Sequence, residues 1–166
     1  MLYRALGHLE RGFYIDIGAQ HPEIDSVSKA FFDRGWQGVH VEPVPHYANL
    51  LREARPGDRV IEAAVSNCIG HTQLMVFPGT GLSTTVPGIA AGHIDAGMSA
   101  PEAKLEVPTV TLANIAEELG ECEVHWLKID VEGLEKEVLQ GWNPASLRPW
   151  LVVVESTLPN SSQSNH

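Results

Sequence analysis

The chain has 166 residues, 43% of them hydrophobic and 19% charged, with two cysteines and a formal net charge of −10. That length and composition belong to one globular domain able to bury roughly two thirds of its unfolded surface, and exclude a disordered or fibrous chain. The acidic surface repels phosphate backbones and sets nucleic acid aside as a partner, and no apolar run approaches the roughly 18 to 20 residues of a membrane span.

Short apolar runs alternate with amphipathic stretches, the pattern of βαβ units on a mostly parallel sheet, so the predicted fold class is α/β. The first strand is Phe13 to Ile17, and the helix after it, about Ser26 to Arg34, is stopped by Gly35. The second strand, Gly38 to Val41, ends in Glu42-Pro43, and a helix from Pro45 to Ala54 follows with proline in its first turn. Pro56-Gly57-Asp58 turns into a third strand, about Arg59 to Val65. Beyond it, Ile69-Gly70 and the alternating His71 to Phe77 read as an added hairpin arm.

Pro78 to Leu105 is rich in Gly, Ala, Ser, Thr and Pro without sustained period, which predicts a long loop covering a site. Within it, Thr80-Gly81-Leu82-Ser83-Thr84-Thr85 offers hydroxyls for closing over a ligand, or is simply an exposed turn. Val107 to Val110 is a short extended piece. It leads into a helix at Leu112 to Leu119, capped by Thr111 and stopped by Gly120. Val124 to Ile129 is the fourth parallel strand, Glu132 to Gln140 its helix, and Trp150 to Val154 the fifth strand, ending in Glu155. Residues 13–155 form the core of a single domain, with 156–166 a polar tail whose Asn160-Ser161-Ser162 matches a glycosylation pattern by chance.

Charged residues just past the carboxyl ends of parallel strands are site candidates, because ligands sit in that crevice. Asp16, Gly18 and Ala19 close the first strand, where glycine lets a ligand approach the backbone. No second glycine completes G-x-G-x-x-G, which argues against NAD or FAD. Glu42 closes the second strand, where an acid can accept from both ribose hydroxyls of a nucleoside. Alone it could be a solvated glutamate; taken with Asp16 and Gly18, it favours a nucleoside ligand.

Asp130, Glu132 and Glu135 form a third corner, with Glu132 and Glu135 expected on one face of a helix near its N-terminus. The helix acids could be there for the macrodipole alone. Asp130 ends a buried strand and must find hydrogen bonds or a polar cleft. Lys128, inside that strand, is expected to pair with one of these acids. With Glu155, the three acids could instead bind a divalent cation, although the reading taken assigns no metal. Among the histidines none shows metal-ligand spacing, and His21, just past the first corner, is the one placed to be a site residue.

With these residues in place, the chain resembles the FkbM family of S-adenosylmethionine-dependent methyltransferases over about Phe13 to Glu155. Leu127 to Glu135 is similar to the family's K-I-D-x-E-G-x-E block, continued by Val138-Leu139-Gln140-Gly141. Phe13 to Ala19 resembles its cofactor-binding first corner, Val41-Glu42-Pro43 its ribose-binding strand end, and Ala63-Ala64-Val65-Ser66 the turn beside the adenine. The resemblance implies a Rossmann-like class I methyltransferase, a three-layer sandwich. It also implies S-adenosylmethionine as cofactor, held by Asp16, Gly18, Ala19, Glu42, Pro43, Ser66 and Asp130. Asp130, Glu132 and Glu135 would be the catalytic carboxylates, and the reaction O-methylation of a hydroxyl on a small-molecule or glycan acceptor, a sugar or natural product.

Such enzymes usually continue past the fifth strand with a helix and an antiparallel strand pair, for which residues 156–166 leave no room. The expectation is a fold without that pair, through truncation or as a short variant, whose fifth strand is an open edge available for homodimerisation. Two other functions stay open: a non-catalytic nucleoside-binding module, and a metal-dependent α/β enzyme using the acid corner. The cysteine pair Cys68 and Cys122 has no C-x-x-C spacing and no secretory opening precedes it, so a cytoplasmic location is expected.

Overall fold

The computed structural model describes residues 2–155, and the tail 156–166 with its Asn160-Ser161-Ser162 lies outside them. The elements run α1 (Leu2–Leu6), β1 (Phe13–Ile17), α2 (Lys29–Phe32), β2 (Gln37–Val41), α3 (Pro45–Ala54), β3 (Arg59–Ile61), β4 (Ala64–Val65) and β5 (Gly70–Val76). They continue with α4 (Pro87–Asp95), β6 (Ala103–Val110), α5 (Leu112–Leu119), β7 (Trp126–Ile129), α6 (Glu135–Gln140) and β8 (Leu151–Val154). A five-stranded sheet has the order β3-β2-β1-β7-β8, and every pairing in it is parallel. Helices flank it, which makes the fold the Rossmann-like α/β arrangement expected. The order reverses direction beside β1, and its carboxyl end is where such sheets bind ligands.

Side chains alternate across a strand, so each strand gives one set of residues to each face. Ile15, Ile17, Val39, Val41, Leu127 and Ile129 give one face to an aliphatic core completed by Leu112 and Ile115 of α5 and Val138 of α6. The opposite face changes character along the strands. At the amino ends, Tyr14 and Trp126 stack 4.8 Å apart and join Phe31, Trp36, Leu2 and Leu6. At the carboxyl ends the same face carries His40, Asp16 and Lys128, aligned in register across β2, β1 and β7. Gly38 belongs to this face because a Cβ there would stand 2.2 Å from the Tyr14 ring.

Several expected boundaries move. The strand expected at Arg59 to Val65 splits into β3 and β4, which lie in different sheets. Glu62 turns out to pair with Arg52 at 2.8 Å, while Ala63 to Val65 dip into the interior. β5 alternates as expected, but its partner is not local. It pairs antiparallel with β6 from Gly70 opposite Thr109 to Val76 opposite Ala103, with β4 parallel on β6's other side. The Pro78 to Leu105 stretch is therefore not one structureless loop, since α4 and the start of β6 lie within it. The small residues of α4 bury little beyond Ala90 and His93, which hid its period.

The helix expected at Ser26 to Arg34 contracts to α2, and the one expected from Glu132 starts at Glu135. The second shift has a backbone cause: Glu132 has φ 52° and Gly133 φ 105°, neither compatible with a helix interior. α5 starts as expected, with the Thr111 hydroxyl accepting from the Asn114 N–H at 3.1 Å and Asn114 Oδ1 accepting from the Thr111 N–H. α1 has no counterpart in the sequence reading. Among the described residues no helix is long and apolar enough to cross a membrane, and β8 is the last strand, with Trp150, Val152 and Val153 partly exposed.

Candidate functional site

The carboxyl ends of β1, β2 and β7 open into a cavity of about 290 Å³. That is near the lower end of small-molecule clefts, which run from about 300 to 1,000 Å³. Asp16, Gly18, Ala19, Glu42, Pro43, Lys128, Asp130 and Glu132 all line it. Residues from three separate sequence regions thus converge on one space.

At the first corner Gly18 has φ 71°, and a Cβ there would stand 1.7 Å from the Asp130 carbonyl oxygen. Only glycine fits, so the chain reverses close against the β7 corner. Its N–H donates to the Val41 carbonyl at 2.9 Å, continuing the β1–β2 ladder past the strand end. Asp16 is 1% exposed, and its Oδ1 has no hydrogen-bond partner. Lys128 Nζ stands 3.6 Å from that oxygen and balances its charge.

At the second corner Glu42 is buried and accepts from the Gln20 N–H on Oε2 and the Val44 N–H on Oε1, both at 2.8 Å. Each oxygen keeps a second lone pair. Burial pushes its carboxyl up to about 7, against the pull of those two N–H groups and Lys128. Hydroxyl donors reaching this carboxylate would stabilise its charged form. Ala63, Ala64, Val65 and Leu74 line the apolar side of the cavity. Ser66 does not: its N–H donates to the Val110 carbonyl, and its own carbonyl packs under Gly141.

At the third corner the three expected carboxylates separate in role. Asp130 Oδ2 accepts from Lys128 Nζ at 3.0 Å. Glu135 lies outside the cavity lining, and its Oε1 accepts from the Val131 and Gly133 N–H groups at 3.1 and 3.2 Å. It caps the turn from the start of α6. Glu132, held in the left-handed region, is not on a helix face with Glu135 as expected, and it lines the cavity instead. Burial, then the neighbouring charges of Glu155, Asp130 and Glu135, push its carboxyl up to about 8. One oxygen each of Asp130, Glu132 and Glu155 lie within 4.8 Å of one another, a set of hard donors that a divalent cation could share.

Lys128 pairs with these acids as expected. Burial disfavours its charge, but Asp16 and Asp130 outweigh that and raise its pKa. Below it lies a buried polar network invisible in sequence spacing: His40 Nε2 is 2.9 Å from Asp58 Oδ2, which also accepts from the Tyr14 hydroxyl, and His40 Nδ1 is 3.9 Å from Asp16 Oδ2. His21 is not in the cavity lining, and its Nδ1 accepts from the Glu23 and Ile24 N–H groups, ordering the loop after β1.

The cover is the Thr80 to Thr85 segment, with Thr80, Gly81, Ser83 and Thr85 lining the cavity. Its Thr84 backbone pairs with Met75, and two side-chain hydroxyls fasten it further. The Thr84 hydroxyl donates to the Glu132 carbonyl at 2.8 Å, and the Gly79 N–H donates to the Tyr47 hydroxyl at 3.1 Å. Tyr47 lines the cavity and was missed by the sequence reading; its place in the first turn of the helix after Glu42 was the available signal. Among the described residues, the non-glycine positions with positive φ are Gln20, Asp25 and Glu132, and all three line this cavity. Backbone strain of this kind gathers at functional sites and costs on the order of 1–3 kcal/mol each.

A family model described as the methyltransferase FkbM domain matches residues 16–166. No curated protein and no solved structure matches the chain.

Proposed function

Because the chain belongs to the FkbM methyltransferase domain family, and is a methyltransferase, we propose that it uses S-adenosylmethionine to methylate a hydroxyl of a sugar or natural product. The observation that carries this reading is the convergence of two kinds of corner on one cavity. Asp16, Gly18, Ala19, Glu42 and Pro43 make a nucleoside-type half, and Asp130 and Glu132 a carboxylate half.

The residues fit the cofactor. Gly18 leaves open the close backbone approach that a Cβ would fill, Glu42 suits a ribose diol, and the Asp16 carboxylate suits an ammonium. Ala63, Ala64 and Val65 offer an apolar bed for a base. When bound, the cofactor supplies a methyl group already activated on a sulfonium, so the protein contributes alignment and proton removal.

The acceptor hydroxyl is oriented by Asp130 and loses its proton to a Glu132 carboxylate oxygen as its oxygen takes the methyl group. Asp130 is committed to Lys128 on one oxygen, which suits orientation. Glu132 has the raised pKa of a general base working near neutral pH. Glu135 serves the corner by capping it. The cavity's own polar cover, Thr80 and Ser83, suits a hydroxylated acceptor. The free thiols of Cys68 and Cys122 suit a cytoplasmic enzyme.

The test is calorimetry of the folded chain with S-adenosylhomocysteine, then transfer of labelled methyl groups to a panel of sugar and natural-product hydroxyls. Absence of binding sinks the cofactor assignment. Binding without transfer to any hydroxyl favours the nucleoside-binding module, and activity that disappears with chelator favours the carboxylates as a cation site.

A further inference from the structure

Lys128 is a charged residue inside a strand, on the sheet face that carries Asp16 and Asp130. Long cationic side chains in such places usually snorkel to solvent. This one stays 13% exposed at its side chain and lines the cavity. An ammonium has three N–H donors, and here they meet groups from two corners. Nζ donates to the Gly18 carbonyl at 3.0 Å and to Asp130 Oδ2 at 3.0 Å, with Asp16 Oδ1 next at 3.6 Å. The two corners also touch directly, since the Gly18 backbone packs against the Asp130 carbonyl.

We propose that Lys128 is a positioning residue that ties the Gly18 corner to the Asp130 corner, so that the cofactor half and the acceptor half of the cavity hold their relative place as one unit. The purpose of the tie rests on the methyltransferase reading. Its existence does not. Gly18 is fixed by its N–H bond to Val41 of β2 and by the bond its carbonyl accepts from Lys128 of β7. Asp130 is fixed at its N–H by the Ile17 carbonyl at 3.2 Å and at its carboxylate by the same ammonium. Removing the ammonium frees one bond at each corner together and leaves Asp16 and Asp130 without their counter-charge.

The experiment is amide hydrogen exchange on the ligand-free chain, read at Gly18 to Gln20, at Val131 and Gly133, and at Ile115 of α5 as a remote reference. In folded Lys128→Met, exchange is expected to quicken roughly tenfold at both corners and stay as in wild type at Ile115. Lys128→Arg keeps charge and donors, with cavity space beside it for the larger head, and is expected to recover most of the protection at both corners. Unchanged exchange at either corner, quickening that extends to Ile115, or no recovery with arginine overturns the proposal. Should Lys128→Met not fold, Asp130→Ala is read at Gly18 to Gln20: faster exchange there supports the tie, and no change overturns it. None of these readings needs a ligand, so failure of wild type to bind S-adenosylhomocysteine would sink the proposed function without touching this test.

Discussion

Asp16 and Lys128 are register partners on adjacent parallel strands, with Oδ1 3.6 Å from Nζ, and each faces the cavity. The distance is just beyond hydrogen-bond reach, so the aspartate keeps a buried acceptor free while its charge is compensated.

Gly18→Ala is expected to abolish S-adenosylhomocysteine binding. A Cβ there meets the backbone oxygen of Asp130, and φ 71° disfavours any L side chain. Backbone cannot step aside as a flexible side chain can, so a stability loss of roughly 2–4 kcal/mol is also expected in thermal or urea unfolding.

Glu42→Gln keeps shape and removes the carboxylate that suits a ribose diol. Binding of S-adenosylhomocysteine should weaken by about 1–3 kcal/mol, read by calorimetry at fixed pH. Wild-type affinity in this variant would separate Glu42 from the ribose.

The ligand-free chain should lose stability as pH rises from about 5 to about 8. Glu42 and Glu132 have folded pKa values near 7 and 8, above the ordinary value of 4.5. Between those limits the folded state binds more protons than the unfolded one, so unfolding free energy falls as pH increases. Urea midpoints of wild type should decline across this window, and the double variant Glu42→Gln, Glu132→Gln should flatten the decline.

Glu132→Gln should lower kcat by about 10²- to 10⁴-fold while leaving S-adenosylhomocysteine affinity nearly unchanged. In wild type, kcat should rise with pH to a plateau above about 8, as the Glu132 carboxyl ionises. A pH profile in the variant identical to wild type would remove Glu132 from the proton transfer.

Thr84→Val removes the hydroxyl that donates to the Glu132 carbonyl. The cover then keeps its Tyr47 bond and its strand-like pairing with Met75 but loses its tie to the acceptor corner. Faster proteolysis within residues 78–86 and a raised acceptor KM are expected, with global stability lower by about 1 kcal/mol.

The parallel sheet was legible because the short apolar runs Phe13 to Ile17, Gly38 to Val41 and Val124 to Ile129 alternate with amphipathic stretches, and Gly18 and Glu42 stand where strands end. The partner of β5 was not legible. Alternation fixes which residues face in, but not which distant segment pairs, and β6 lies beyond α4. Glu132 and Glu135 looked alike from spacing because i, i+3 assumes a helix, and the φ 52° at Glu132 that separates them is a tertiary outcome. The Asp58–His40–Asp16 alignment joins three strand ends and has no sequence spacing to betray it.

At the carboxyl ends of the central strands the aliphatic residues hold up one side of the sheet and the charged ones occupy the other, on alternate positions. Mutation can therefore rewrite Asp130 or Glu132, which follow β7, without altering a methyl group of the aliphatic core. Selection for a new acceptor can act at these two positions through codons other than those that fill the aliphatic core.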